Sequence, residues 1–358
     1  MKRSIACFVS PHGFGHAARA AAVMSALHAQ DSMLHFDIFT RVPRWFFQES
    51  VAGGFTYHSL LSDVGLAQES ALNENIPQTL KHLRGFLPFH PSLTSHLSQR
   101  VARLNCRLVL CDIAPLGIPV ARAAGIPSIL IENFTWDWIY EGYTRHATRF
   151  RKHITYLRRV FTSADYHIQT EPVCEYRTAD LVTPPVSREP RTPARQIRAQ
   201  LAIPRRARVA LITMGGIPQQ HTFLDRLMQL RHVQFIIAGN SPRAEKRGNL
   251  LLLPHRSGFY HPDLLNASDA VIGKAGYSTV AEAYRAGIPF GYISRKRFRE
   301  ATPMARFIES RMRGVKISPA DFESGRWITR LDEILAMPRR QRREPNGAVQ
   351  IANFIRGN

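Results

Sequence analysis

Residues 4–27 read SIACFVSPHGFGHAARAAAVMSAL, which is a short apolar run, a loop with two glycines and an alanine-rich segment. The apolar run has the length of a buried strand, and alanine is the strongest helix former. Gly13 and Gly15 lie between the two, where glycine permits a tight turn and a close approach of the backbone to a ligand. The stretch therefore predicts a strand–loop–helix unit of an α/β protein, with a ligand beside the loop.

Apolar runs of strand length alternate with helix-length segments along the rest of the chain, which is typical of parallel sheets with crossover helices. The 358 residues exceed the usual size of one hydrophobic core. We therefore predict two Rossmann-like domains, residues 1–180 and 209–340, whose parallel sheets face a central cleft. Between them, residues 181–208 are rich in proline and arginine and are the predicted linker. A C-terminal tail, residues 341–358, is expected to pack back on the first domain.

Charge is the unusual feature of the composition, because Lys and Arg number 48 against 27 Asp and Glu, a formal net charge of +21. Such an excess indicates an anionic partner, such as a phosphorylated ligand, an anionic acceptor or membrane headgroups, with an ordinary solvated basic surface as the alternative. The basic stretches contain neither interleaved aromatic residues nor a groove-reading motif. Nucleic acid is therefore not the favoured partner.

The location of the protein is indicated by features that the sequence lacks. It contains no apolar run long enough to span a bilayer, and the run at its start is too short for a signal peptide. Its four cysteines show no CxxC pair and no metal-type spacing with histidine. These features predict a cytoplasmic protein, with peripheral binding at the inner face of the membrane as an open alternative.

Gly13, Gly15 and Ala18 satisfy the pattern G-x-G-x-x-A, which is typical of dinucleotide-binding loops. Such a site also needs an acidic residue at the end of the second strand, where it binds a ribose. The segment LHFDIFTR ends instead in Thr40 and Arg41. An NAD-dependent oxidoreductase is therefore the weaker hypothesis, and the sequence favours a different ligand at this loop.

His16 follows the second glycine at the predicted start of the helix. The helix macrodipole disfavours an imidazolium there, and a neutral imidazole is the form that accepts a proton, so His16 is a candidate general base. Asp112 ends the apolar run RLVLCD and is expected at the same sheet edge, where it would orient the imidazole. A helix cap for His16 and a turn-forming role for Asp112 are the alternatives. In the same acceptor loop, His12 is either a ligand contact or an ordinary loop histidine.

In the second half, the stretch GKAGYSTVAEA (residues 273–283) follows an apolar run and opens a helix. The glycine turn before Ser278 and Thr279 leaves backbone N–H groups free at the helix start, which is an anion site suited to a diphosphate. Glu282 lies on the same helix face as Thr279 and is a candidate for binding ribose hydroxyls. The alternative for Glu282 is a surface ion pair with Arg285.

Gly215 and Gly216 repeat this pattern earlier in the second half, after the apolar run ARVALITM. Two glycines there give an open backbone at the sheet edge that faces the first domain. We expect them to contribute to the donor diphosphate site, with an ordinary tight turn as the alternative.

Four stretches together resemble a known family: HGFGHAAR, DIAPLGIPVARAAGIPSILIENFTWDWIY, HPDLLNASDAVIGKAGYSTVAEA and FRE. They resemble the N-terminal glycosyltransferase-like domain of the L-arabinokinases and its stand-alone bacterial relatives. More distantly, they are similar to inverting GT-B glycosyltransferases, among them the peptidoglycan N-acetylglucosamine transferase and the plant UDP-sugar transferases. The resemblance implies a GT-B fold. It does not imply sugar kinase activity, because these residues have no counterpart of an arabinokinase's kinase domain.

The resemblance also assigns roles to the residues that match the family motifs. It implies that His16 is the catalytic base, that Asp112 is its supporting acid, and that Glu300 binds hydroxyls of the donor sugar. Its remaining assignments are donor diphosphate binding by Gly276, Ser278 and Thr279, and ribose binding by Glu282.

These features predict a metal-independent, inverting glycosyltransferase that needs no cofactor. The donor, a nucleotide diphospho-sugar with UDP as the expected nucleotide, would bind mainly to the second domain, and the unknown acceptor hydroxyl to the first. The chain contains no Asp-x-Asp metal motif, and the helix end near Ser278 would stabilise the departing diphosphate. Two alternatives stay open: a nucleotide-sugar 2-epimerase of the same fold, and a non-catalytic protein that binds or senses nucleotide-sugars.

Overall fold

The computed structural model describes residues 3–69, 73–145, 147–215, 221–295 and 297–357. The strands form two separate sheets of seven strands each. Helices cover both faces of each sheet, and four buried apolar clusters fill the spaces between sheets and helices. Among the helices in these ranges, none has the length and apolar character needed to cross a membrane.

The first sheet has the strand order β3-β2-β1-β4-β5-β6-β7, and every pairing in it is parallel. Its strands are β1 (Arg3–Val9), β2 (Leu34–Thr40), β3 (Phe55–Ser59), β4 (Cys106–Asp112), β5 (Ser128–Glu132), β6 (Tyr166–Thr170) and β7 (Leu181–Thr183). Its helices are α1 (Phe14–Gln30), α2 (Arg44–Ser50), α3 (Ile76–Phe86), α4 (Pro91–Arg103), α5 (Gly117–Ala124), α6 (Trp136–Glu141) and α7 (Arg151–Phe161), with a 3₁₀ helix at Thr148–Phe150.

The second sheet has the strand order β10-β11-β9-β8-β12-β13-β14, and only the β10–β11 pairing at its edge is antiparallel. Its strands are β8 (Arg208–Thr213), β9 (Val233–Ala238), β10 (Glu245–Arg247), β11 (Leu250–Leu253), β12 (Ala270–Lys274), β13 (Phe290–Ile293) and β14 (Gly314–Ile317). The helices that follow β7 are α8 (Ala194–Gln200), α9 (Leu224–Gln229), α10 (His261–Asn266), α11 (Tyr277–Ala286), α12 (Ala301–Arg311), α13 (Pro319–Ser324), α14 (Leu331–Ala336) and α15 (Gly347–Gly357), with a 3₁₀ helix at Arg326–Arg330.

The predicted strand–loop–helix unit at the start of the chain is β1, its loop and α1. β1 is buried on both faces, as expected for an apolar run in the middle of a parallel sheet. Gly13 adopts a φ of +76° as the N-cap of α1, a conformation that glycine reaches without strain. The small side chains of α1 allow it to pack closely, and the predicted α/β class with two parallel sheets is confirmed.

Both chain crossings between the domains are short. β7 is the last strand of the first sheet, so that sheet extends three residues into the predicted linker, and α8 contributes Ile197 to a cluster of the second domain. The stretch between them is residues 184–193. The chain returns after α14, and α15 packs against α1 with Ala348, Ile351 and Ala352.

Candidate functional site

The N-termini of α1 and α11 meet at the cleft between the domains. A Cβ atom built on Gly15 would lie 4.0 Å from both the backbone nitrogen and the Oγ of Ser278, so the two helix ends are almost in contact. Both ends carry free N–H groups and the positive end of a helix dipole. A cleft of about 620 Å³ lies beside them and is lined by these predicted residues: His12, Gly13, Gly15, His16, Gly215, Gly276, Ser278, Thr279 and Glu300.

His16 and Asp112 are brought together at the end of β4, as the sequence predicted. The Nδ1 atom of His16 lies 3.3 Å from Oδ1 of Asp112, and both side chains are buried. With Nδ1–H donating to this carboxylate, Nε2 of His16 has a free lone pair. α1 has no side-chain cap, so His16 does not act as one.

Arg19, which the sequence analysis did not single out, forms the strongest contact of Asp112. Its Nε donates to Oδ2 at 2.9 Å and its Nη2 to Oδ1 at 2.7 Å, the bidentate geometry typical of arginine–carboxylate pairs. Burial opposes the ionisation of Asp112, but Arg19 and the hydrogen bond from His16 hold the pKa of its carboxyl below the usual value. Asp112 is therefore a carboxylate that faces two basic side chains three residues apart on α1.

Asn133 extends this network across the cleft to Glu300. Nη1 of Arg19 donates to Oδ1 of Asn133 at 2.8 Å, and Nδ2 of Asn133 donates to Oε1 of Glu300 at 3.0 Å. Glu300 lies at the start of α12 in the second domain and is buried. The residue expected to bind the donor sugar is thus linked to Asp112 through two side chains.

His12 lies inside its loop. Its Nδ1 accepts a hydrogen bond of 3.3 Å from the backbone N–H of Leu66, and its ring packs edge-on against Trp136. Burial lowers the pKa of His12 well below its usual value, and the positive charge of Arg295 adds to the shift. His12 is therefore neutral, and it fixes the loop at residue 66 while one edge of its ring lines the cleft.

On the donor side, Ser278 and Thr279 occupy the first turn of α11, whose N-cap is Gly276. Lys274, at the end of β12, lies beside them and lines the same cleft. Burial, together with Arg295, lowers the pKa of Lys274 to about 8. Lys274 adds a positive charge to this helix end, and the sequence analysis gave it no role.

Of the two glycines Gly215 and Gly216 that were expected in the donor diphosphate site, the structure describes only Gly215. Gly215 has a φ of +71°, and a Cβ built there would lie 3.4 Å from Cε of Lys274. Gly216 belongs to the segment that the structure does not describe, so the prediction for it stays untested.

Glu282 is buried within the second domain rather than paired with Arg285. Its Oε1 accepts a hydrogen bond of 2.9 Å from Nε of Arg188, and its Oε2 lies 2.9 Å from Nδ1 of His261. Burial opposes its ionisation, but Arg188 and His261 hold the pKa of Glu282 below the usual value. Arg285 bonds instead to Glu189 at 3.0 Å, so the ion pair considered for Glu282 does not form.

A second pocket of about 740 Å³ lies beyond Ser278 and Thr279, and the sequence analysis missed it. Its walls are largely aromatic, and they come from both domains: Phe14, Trp45 and Phe46 from the first, and His255, Phe259 and Tyr260 from the second. A concave pocket whose walls carry several aromatic side chains beside a few polar groups is typical of a small-molecule site. No local sequence signal marks it, because its walls are far apart in the chain.

Within the part of the chain that is described, no three His, Cys, Asp or Glu side chains lie close enough together to hold a metal ion. The cleft is lined by the cations Lys274 and Arg295 and by helix N–H groups, which bind anions directly, and also by the carboxyl group of Glu300.

The two Rossmann-like sheets and the cleft between them define a GT-B glycosyltransferase. The family model described as glycosyl transferase family 1 matches residues 4–332, and the chain belongs to this family. An L-arabinokinase of Arabidopsis thaliana is 25% identical over 337 residues, which are 93% of this chain and 32% of that protein. The chain thus spans about a third of the length of this relative, and the resemblance to the arabinokinases is confirmed.

Solved structures support the fold. The glycotransferase of kitacinnamycin has a TM-score of 0.65 at 16% identity, with 99% of this chain and 98% of that one covered. UGT89C1 of Arabidopsis thaliana, solved in complex with UDP, has a TM-score of 0.60 at 14% identity, with 99% and 94% covered. At these identities the likeness shows the GT-B fold alone.

Proposed function

We propose that this protein transfers a sugar from a nucleotide diphospho-sugar, with UDP as the nucleotide, to an acceptor hydroxyl with inversion at the anomeric carbon. The observation that carries the proposal is the position of His16. Its imidazole is backed by Asp112 and lies across a narrow cleft from the N-terminus of α11. The base and the anion-binding helix end lie on opposite sides of one cleft. This arrangement suits a displacement of the diphosphate at an anomeric carbon bound between them.

In the proposed step, the acceptor oxygen forms a bond to the anomeric carbon while the bond from that carbon to the diphosphate oxygen breaks. Nε2 of His16 takes the acceptor's proton, and the nucleoside diphosphate leaves with the electron pair of the broken bond. Asp112 stabilises the imidazolium that forms. Attack from the side opposite the leaving group inverts the configuration.

The leaving diphosphate is stabilised by positive groups at the donor side of the cleft. The first-turn N–H groups of α11, the hydroxyls of Ser278 and Thr279, and Lys274 converge there. These groups meet the developing charge, so the proposed step includes no metal and no cofactor. The negative charge that moves to the diphosphate is thus paired with protein cations and dipoles.

The aromatic pocket beyond Ser278 is the proposed site for the nucleotide base. The aromatic side chains of its walls are rings against which a base can pack, and Ser278 and Thr279 line the pocket as well as the cleft. Glu282 is the proposed ribose-binding residue, and its partner His261 lines the pocket. Glu300 is the proposed contact for hydroxyls of the donor sugar. UDP is the nucleotide that the resemblance to the plant UDP-sugar transferases implies.

The test combines binding and turnover. Thermal shift with a panel of UDP-, dTDP- and GDP-sugars identifies a stabilising donor. Release of nucleoside diphosphate is then measured with and without candidate acceptors. His16→Ala is expected to lose about 10²–10⁴-fold in acceptor-dependent release and to keep the thermal shift. His96→Ala, a substitution of an exposed histidine on α4, is the matched control and should retain full activity.

Three results would overturn the proposal. Undiminished turnover in His16→Ala would show that His16 is not the general base. Formation of an isomeric nucleotide-sugar without an acceptor would show that the protein is an epimerase. Donor binding with no product from any acceptor would show a binding protein.

A further inference from the structure

A groove between the first domain and the loop that precedes α12 contains a concentration of basic side chains that the proposed chemistry does not use. It has a volume of about 1420 Å³ and runs between α3 and the segment after α6. Its cationic lining residues, here called the basic groove, are Lys81, Arg84, Arg145, Arg149 and Arg297. Arg151 and Lys152, at the start of α7, line a hollow that shares Arg84 and Arg149 with the groove.

These cations differ from the other arginines nearby because they have no acidic partner. Arg299 donates to Glu141 at 2.7 Å, and Arg177 donates to Glu175 at 2.7 Å. In contrast, none of the five groove cations forms a salt bridge with any described residue. A concave surface with this many unpaired cations concentrates a positive potential that attracts anions.

The basic groove meets the catalytic cleft at Arg295, Glu74 and Tyr143. Arg295 lines the cleft, whereas Glu74 and Tyr143 line the groove. Nη1 of Arg295 and Oε1 of Glu74 are 3.8 Å apart, which is too far for a hydrogen bond but close enough to balance their charges.

Three polar atoms at this junction have no hydrogen-bond partner among the described residues. Nη1 of Arg295, Oε1 of Glu74 and the hydroxyl of Tyr143 are buried, and none of them forms a hydrogen bond within the described structure. Buried polar atoms normally have partners, so these side chains leave a position for a polar group that none of the described residues supplies. A ligand that runs from the groove into the cleft would pass this point.

We propose that the basic groove binds the acceptor of the reaction, and that this acceptor is a water-soluble molecule carrying phosphate groups. The proposal rests on the proposed sugar transfer, because it requires the acceptor's hydroxyl to reach His16. The forked guanidinium groups of Arg84 and Arg149 suit phosphate oxygens, and Lys81 adds a point charge. The phosphates would bind in the groove, with the reacting hydroxyl beyond Arg295 in the cleft.

Two other polyanions fit the groove less well. Stable binding at a bilayer surface combines basic residues with apolar side chains that insert, and the large apolar side chains that the structure shows as exposed are Met33, Tyr176, Val182 and Val349, none of which lines the groove. Single-stranded nucleic acid needs exposed aromatic rings for stacking. The aromatic residue of the groove, Tyr143, is buried.

The test uses inorganic tripolyphosphate as the probe and titrates it against the whole protein at fixed salt. Arg84→Glu combined with Arg149→Glu is expected to raise the Kd at least about tenfold, because two phosphate contacts become repulsive. Arg205→Glu combined with Arg206→Glu is the matched control: these exposed arginines lie before β8, and the change in net charge is the same. The control pair should change the Kd less than about twofold.

Folding and donor binding are measured on the same variants. Thermal stabilisation by the donor should be equal in the wild type, the groove pair and the control pair, which shows that any loss lies in the groove. If tripolyphosphate binding is lost in the groove pair and no sugar is transferred by the wild type, the groove is an anion site and the proposed transfer has failed. The two proposals are thereby separated.

Other results would overturn the groove proposal. One is an equal Kd in the groove pair and the wild type, or an equal loss in the control pair. Another is groove-dependent binding to phosphatidylglycerol vesicles, but not to tripolyphosphate, which would identify a membrane surface. A third is groove-dependent binding of a single-stranded oligonucleotide that exceeds tripolyphosphate binding at equal charge.

Discussion

Arg19 donates two hydrogen bonds to Asp112, at 2.9 and 2.7 Å, from a position one helical turn after His16. The guanidinium is completely buried, and burial opposes its charge, yet Asp112 raises the pKa of Arg19 above its usual value. A charged pair at this depth stabilises the protein only while both partners are present. Because Asp112 contacts both Arg19 and His16, the ion pair that affects the folding of the first domain also orients the proposed base.

The first prediction concerns the stability that this pair contributes. Arg19→Met leaves Asp112 as a buried carboxylate without its main counterion, and we expect the free energy of unfolding to fall by about 3–5 kcal/mol. Urea unfolding followed by circular dichroism measures the change. The double variant Arg19→Met with Asp112→Leu should recover part of the loss, because it removes the unpaired charge. If the double variant were less stable than Arg19→Met alone, the charge argument would be wrong.

The second prediction separates the orientation of His16 from donor binding. Asp112→Asn keeps the shape of the side chain but removes the charge that stabilises an imidazolium, so kcat should fall by about 10²–10⁴-fold. The KM for the donor and the thermal shift with the donor should change little, since Asp112 does not line the cleft. Steady-state kinetics gives both values. A raised KM at unchanged kcat would contradict the proposed role.

The third prediction is a pH dependence that comes from Lys274. With a pKa of about 8, its amine is mostly charged at pH 7 and loses its charge as the pH rises through about 8. Stabilisation of the leaving diphosphate should weaken over that window, so transfer should decline on the alkaline side. Lys274→Met should cost about 10²-fold in kcat at pH 7.

Lys274→Arg is the informative companion variant, because a guanidinium stays charged throughout this range. Its pH profile should lack the decline near pH 8, even if its rate is lower overall. An unchanged alkaline decline in Lys274→Arg would assign that decline to another group.

The fourth prediction concerns Asp63, a buried carboxyl that accepts hydrogen bonds from Ser10 at 2.7 Å and from Trp136. Burial raises its pKa to about 6, although these hydrogen bonds oppose the shift. Because the folded pKa is above the unfolded one, this carboxyl contributes stability that is fully present below about pH 4 and is lost as the pH rises through about 6. The contribution is on the order of 3 kcal/mol.

Asp63→Asn should remove that dependence. The measurement is the difference in unfolding free energy between pH 4 and pH 7, which is independent of any overall loss caused by the substitution. The decrease from pH 4 to pH 7 that Asp63 causes in the wild type should be absent in the variant. An identical difference in both proteins would show that Asp63 titrates normally.

The sequence predicted those parts of the site that depend on local pattern. The glycines at 13 and 15 mark the loop, the apolar run before Asp112 marks a strand end, and parallel strands bring these ends to one edge. The same reasoning located the helix start at Ser278. These predictions required only the length of the apolar runs and the spacing and chemistry of neighbouring residues.

The parts that the sequence did not predict depend on contacts between distant residues. Arg19 and Asn133 are 114 positions apart, and Asn133 and Glu300 are 167 positions apart. An arginine in an alanine-rich helix has the same local signature whether it faces water or a buried carboxylate. The aromatic pocket is likewise assembled from α2 and the loop after β11, which no periodicity connects.

The return of the last helix to α1 has a consequence for the order in which the molecule is completed. Since β1 and α15 belong to the same domain, the second domain is an insertion within the first in topological terms. During synthesis, the contact of α1 with α15 cannot form until residues 347–357 have left the ribosome. The helix that carries His16 therefore completes its packing only after the domain opposite it has been made.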